Sequence, residues 1–193
     1  NIWAFERQAR ELAADGHTVI LPDYRVSCRD GTNATDSVVD ANAAYNWVRA
    51  HLAEWSGDNQ RIVIGGGSAG GHLALITAMK RPRSERPAAL LLFNPAVDIV
   101  SVASWTGLEP REAAIISPAL QPVGTLPPTI IFHGTKDSKV PIGDVRTFCT
   151  SARVGGRNCE LIEYEGKEHG FFHSERRDAK TGIMPFADTL ARS

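Results

Sequence analysis

The feature that most constrains this chain is a block of glycine set between two apolar patterns of different period. Residues 61–82 read RIVIGGGSAGGHLALITAMKRP. Residues 61–66 suit a short strand, and 69–80 an alanine- and leucine-rich helix that stops before Pro82. A strand that becomes a helix within so few residues must turn sharply, and Ser68 stands at the turn. Gly66, Gly67, Ser68, Ala69 and Gly70 match the pattern G-x-S-x-G. Side chains two residues before and after the serine would collide in such a turn. Gly66 and Gly70 are therefore expected to be glycine for want of space, and Ser68 to carry a strained backbone. The turn lifts the serine Oγ off the C-terminal edge of the sheet. It also leaves the serine under a helix N-terminus, whose free N–H groups favour developing negative charge. The Ala69 N–H is then an oxyanion donor. A phosphate loop is the competing use of these glycines, because G-x-G-x-x-G spans 65–70. No lysine follows where G-K-[ST] would need one.

The rest of the chain repeats the change of period. Residues 2–14 suit a helix capped by Asn1 and stopped at Gly16; HTVILPDYR (17–25) suits a buried strand. An amphipathic helix is expected from about Asp36 to near Gly57. Apolar runs at 88–97, 128–134 and 159–166 read as further strands. Pro141 opens a helix that Gly155 and Gly156 end, and a short helix covers 184–192. Residues 98–127 show no clear period and suit a loop with short helices. Alternation of this kind predicts a single α/β domain over 1–193, a mostly parallel sheet with helices on both faces.

Composition excludes little and adds little. Net charge is -1, which gives no footing for nucleic acid or an anionic membrane surface. No apolar run reaches the roughly 18–20 residues of a membrane span, and no secretion signal is visible. Neither localisation nor oligomeric state is legible. Cys28, Cys149 and Cys159, without CxxC spacing, make neither a disulfide framework nor a zinc site. They are expected to be free thiols, a Cys149–Cys159 bridge being the one alternative.

A serine hydroxyl needs a base to take its proton and a carboxylate to hold that base's tautomer. Open α/β sheets place such groups in loops after strand C-termini. Asp137 follows the strand 128–134, and His169 follows 159–166. His173 is the rival base, and Asp98 and Asp144 are rival acids. His133 is expected to support the acid loop, and His72 to point away from the serine or pack beneath it.

With these residues in place the chain resembles the α/β-hydrolases. It is most similar to short-chain carboxylesterases related to the hormone-sensitive-lipase group and to bacterial acetyl-xylan or feruloyl esterases. The resemblance rests on LPDYR (21–25), GGSAGGHLAL (66–75), NPAVD (94–98), PPTIIFHGTKDSKVP (127–141) and EHGFF (168–172). It implies that Ser68 is the nucleophile, Asp137 the acid and His169 the base. It also implies a small-molecule ester substrate, no metal and no cofactor. Residues 98–127 would shape the acyl pocket, with Trp105 a candidate wall.

The same resemblance leads one to expect an HGGG-like segment ahead of the first helix, and three strands ahead of HTVILP. Either they precede Asn1 in a longer protein, or this is a minimal variant in which HTVILP and RIVIGG pair directly. Loss of one oxyanion donor costs on the order of 3 kcal/mol, so weak turnover is expected of these 193 residues alone. The same triad would also serve an amidase, formamidase or peptidase. A non-catalytic binding domain is the alternative of another class.

Overall fold

The computed structural model describes residues 2–55, 57–58, 60–173 and 184–192. Asn1, the expected cap, lies outside them. Helix α1 (Glu6–Ala14) leads into an irregular stretch, then a single turn α2 (Ser27–Asp30) and the long α3 (Ala34–His51). The chain then alternates: β1 (Val63–Gly67), α4 (Ala69–Met79), β2 (Ala89–Phe93), α5 (Ala103–Thr106), α6 (Pro110–Ile115), β3 (Thr129–Gly134), α7 (Ile142–Val154), β4 (Cys159–Tyr164) and α8 (Pro185–Ala191). The four described strands form one parallel sheet in the order β1-β2-β3-β4.

Strand side chains alternate between two cores, because successive Cβ atoms point to opposite faces. Leu90, Leu92, Ile131 and Cys159 join one cluster with Val38 of α3, Leu75 and Ile76 of α4, and Val145 and Phe148 of α7. Phe93, Phe132 and Tyr164 face the other way, against Phe171, Phe172 and Phe5. Full burial of a side chain such as Leu75, which is 0% exposed, stabilises by about 1.5–3 kcal/mol. Helix α4 is buried from Gly71 to Met79, so its period alone could not show which face meets the sheet.

Helix α3 begins two residues before the expected start. Asn33 Oδ1 accepts from the N–H groups of Thr35 (2.9 Å) and Asp36 (3.3 Å), and Asp36 Oδ2 accepts from Asn33 N–H (3.0 Å). This reciprocal cap satisfies donors that the first turn would otherwise leave free.

Two expectations are corrected. Residues 17–25 form no strand and pair with no described strand, and Ile20 and Leu21 are each 36% exposed. A strand is defined by its ladder, and an apolar run alone does not supply one. HTVILP and RIVIGG do not pair directly; β1 ends the described sheet on that side, with Val63 55% exposed. The second correction concerns the thiols. Cys149 and Cys159 form a disulfide with Cα atoms 5.3 Å apart, leaving Cys28 as the free, exposed cysteine. The Gly155-Gly156 turn folds the chain back, so that the inner face of α7 meets the first residue of β4. Residues 98–127 are anchored to the main core by Ile99, Val102, Leu108, Ala113, Ile116 and Leu126.

Candidate active site

The turn from β1 into α4 is strained where the sequence predicts. Ser68 has φ 54 and ψ -117, a conformation costly for a side chain with a Cβ and frequent at functional sites. The surroundings hold it: Ser68 N–H donates to Phe93 O (2.9 Å), and Ser68 O accepts from His72 N–H (3.1 Å). A Cβ on Gly66 would lie 2.6 Å from the carbonyl carbon of Gly70, so Gly66 has no room for a side chain. Gly70 is different. A Cβ there would meet nothing within 4 Å; the second crowded glycine is Gly71, whose Cβ would lie 2.8 Å from Pro95 Cβ. The expected collision at Gly70 is therefore relocated one residue on, where the helix passes over the end of β2. Gly67 lets the rings of Phe172 and Phe5 approach, at 2.9 and 3.0 Å from where its Cβ would stand.

Asp137 and His169 meet because the loops after β3 and β4 are laced together. Thr135 N–H donates to Tyr164 O (3.0 Å), and Lys136 N–H to Lys167 O (2.9 Å). Gly134 permits this approach, since a Cβ there would lie 2.3 Å from Lys167 O. Phe171 and Phe172 are buried just beyond the histidine and pin its loop into the aromatic core. The result is a contact of 2.7 Å between His169 Nδ1 and Asp137 Oδ2; the carboxylate is 0% exposed and the imidazole 27%. Burial pushes the Asp137 carboxyl up. The bonds from His169 and from the N–H groups of Val140 (2.9 Å) and Lys139 (2.8 Å) outweigh it and hold the carboxyl below its usual range. An ionised carboxylate only accepts, so His169 donates its Nδ1–H; in the neutral ring the lone pair is then on Nε2.

Among the described residues no hydrogen bond joins Ser68 Oγ to that nitrogen. Asn94 Nδ2 lies 3.4 Å from Nε2 instead. Such bonds are often long before substrate binds. Asn94 was not singled out by sequence reasoning. The available signal was an asparagine ending an apolar strand, because asparagine tolerates the left-handed backbone found there, with φ 37.

The remaining candidates are occupied elsewhere. Asp98 accepts from Val100 N–H (2.9 Å) and Ser117 Oγ (3.2 Å), and Asp144 from Ser101 Oγ (3.1 Å). His173 Nδ1 sits 3.3 Å from Gln8 Nε2. His133 donates to Val140 O (3.1 Å) behind the acid loop, and burial holds its imidazole below the usual range. Trp105 is 58% exposed on α5. No cluster of metal-ligating side chains occurs among the described residues, and no described helix is long and apolar enough to cross a membrane.

His72 packs beneath the turn and donates Nε2–H to Ile116 O (2.8 Å), tying α4 to the segment 98–127. Burial lowers its pKa from 6.5 to about 4. The folded chain keeps it neutral, whereas the unfolded chain protonates it below about 6.5. Its stabilising contribution is thus complete above pH 6.5 and lost as pH falls toward 4. The shift corresponds to roughly 3 kcal/mol. Unfolding midpoints measured from pH 7 to 4 should fall more steeply for the wild type than for His72→Gln. Parallel curves would show that His72 is not the group responsible.

A family model described as the alpha/beta hydrolase fold matches residues 3–115. A probable carboxylic ester hydrolase, LipM of Mycobacterium tuberculosis, is 31% identical over 188 residues, covering 83% of this chain and 43% of that protein. The chain thus spans less than half the length of this relative. Among solved structures, the propionate-bound thermophilic esterase Est2 of Thermogutta terrifontis superimposes with TM-score 0.83 and 34% identity, over 99% of this chain and 75% of that one. The same esterase phosphorylated by paraoxon gives TM-score 0.85 and 37% identity, over 99% and 74%.

Proposed function

Since the chain belongs to the α/β-hydrolase fold family, we propose that it is a serine carboxylesterase for small acyl groups, acetyl-type and of the kind carried on carbohydrate. Residues 1–193 act as one catalytic unit, and 98–127 shape the acyl pocket. One observation carries this reading: His169 Nδ1 bonds to a fully buried Asp137 carboxylate, in a chain whose Ser68 is held in a strained strand-to-helix turn. His169 Nε2 takes the proton of Ser68 as Oγ attacks the ester carbonyl. The tetrahedral oxyanion is met by Ala69 N–H at the first turn of α4. His169 then protonates the leaving alcohol, and water activated by the same nitrogen releases the acid. Asp137 fixes the tautomer and stabilises the imidazolium. Small acyl groups are favoured because the Thermogutta esterase was solved with propionate and with butyrate. With Ala69 the one donor assigned, turnover by these residues alone should be weak.

A fluorophosphonate tests the reading, because it reports an activated serine without needing turnover. The wild type should gain one adduct, mapped to Ser68 by peptide mass, and Ser68→Ala none. A folded wild type that stays unlabelled would replace the esterase with a non-catalytic binding domain. A comparison of p-nitrophenyl acetate with a long-chain ester then reports acyl length.

A further inference from the structure

Asn94 combines three features that a loop asparagine does not need. It is 1% exposed. It holds φ 37, a value non-glycine residues rarely adopt. Its side chain also reaches across to the histidine loop at two points. Oδ1 accepts from Gly170 N–H (3.3 Å), and Nδ2 stands 3.4 Å from His169 Nε2. Chemistry fixes the amide's orientation, because a backbone N–H only donates and must face the oxygen. The NH₂ is then turned to the one ring nitrogen that carries a lone pair. The backbone at the C-terminal end of β2 ties this residue to the serine turn and to β3: Phe93 O accepts from Ser68 N–H (2.9 Å), and Asn94 N–H donates to Phe132 O (2.8 Å).

We infer that Asn94 is a positioning residue for the base: its buried amide clamps the His169 loop through Gly170 and holds the Nε2 lone pair in place until Ser68 Oγ replaces it. This rests on the triad reading proposed above. His169 is thereby gripped at both nitrogens, by Asp137 at Nδ1 and by Asn94 at Nε2. A neutral ring held at both ends keeps one tautomer and one plane, and so meets the serine without a search. Among the described residues, the ionisable groups in contact with the ring are Asp137 at Nδ1, with His133 behind that carboxylate. An uncharged amide adds a donor without adding charge.

Two variants separate the two contacts, and both residues accept a left-handed backbone. Asn94→Asp keeps an acceptor for Gly170 but loses the donor to Nε2; Asn94→Gly loses both. In each, labelling of Ser68 by fluorophosphonate and kcat for p-nitrophenyl acetate should fall by roughly 10- to 100-fold, with KM within about twofold of the wild type. Nitrogen NMR of the His169 ring should show a bare Nε2 in the wild type and a changed Nε2 signal in both variants. An Asn94→Asp chain with wild-type labelling and wild-type nitrogen signals would reduce Asn94 to a loop anchor and overturn the inference, leaving the triad standing. An unlabelled wild type would instead remove the triad reading. The nitrogen spectra would still decide, by themselves, whether Asn94 holds Nε2. Should Asn94→Gly fail to fold, the aspartate variant carries both measurements.

Discussion

Asp137→Asn should slow acylation of Ser68 by p-nitrophenyl acetate by about 10⁴ while the chain stays folded. The reason lies in which atoms the side chain must serve. Oδ1 accepts from Lys139 and Val140 N–H, and Oδ2 from His169 Nδ1. An asparagine has one oxygen, and the two backbone donors claim it. Its NH₂ then faces His169 and needs an acceptor there, so Nδ1 must carry the lone pair and Nε2 the proton. The ring keeps its place but presents the wrong nitrogen to the serine. Circular dichroism would confirm the fold, and single-turnover kinetics would measure the rate. A loss smaller than tenfold would mean that Asp137 does not set the tautomer.

Gly66→Ala should also be damaging, by a different route. Its methyl would lie 2.6 Å from the carbonyl carbon and 2.8 Å from the oxygen of Gly70, both backbone atoms. The helix must retreat, at about 1–3 kcal/mol of stability for the overpacking. Ser68 moves with it, and a displacement near 1 Å costs roughly 10² in rate. Gly70→Ala is the informative partner, because the five-residue pattern treats the two glycines alike. Open space around Gly70 predicts wild-type activity, with stability within about 0.5 kcal/mol or better, since alanine suits a helix more than glycine does. Equal damage from the two substitutions would contradict the packing described for the turn.

The contrast shows where sequence reading reached and where it stopped. Strands β1 to β4 were legible because buried parallel strands leave apolar runs, and α3 and α7 because an amphipathic pattern or a Pro start and Gly stop marks them. Ser68, Asp137 and His169 were legible as candidates because each follows a strand in the expected order. HTVILPDYR failed because a ladder belongs to two segments, and the residues alone describe one. Asn94 was missed because its signal is a backbone angle and a contact spanning 75 residues. Neither leaves a period. The Cys149–Cys159 bridge is not legible in the cysteine spacing, because spacing says nothing of the turn that joins the two sulfurs. The five-residue pattern does not tell Gly70 from Gly71, because crowding depends on how α4 lies over Pro95.

The strand order β1-β2-β3-β4 repeats the order in which the chain is written. Each described strand after the first adds to the edge left by its predecessor, so the sheet can grow from one side as the chain is made. Ser68 therefore exists, on its turn, long before its proposed partners do. At a synthesis rate of roughly 5–20 residues per second, the hundred or so residues from Ser68 to His169 take on the order of 5–20 s to emerge. During that interval the serine is an ordinary alcohol. On the proposed triad, translation itself would leave Ser68 unactivated until β4 docks and carries the histidine loop into place.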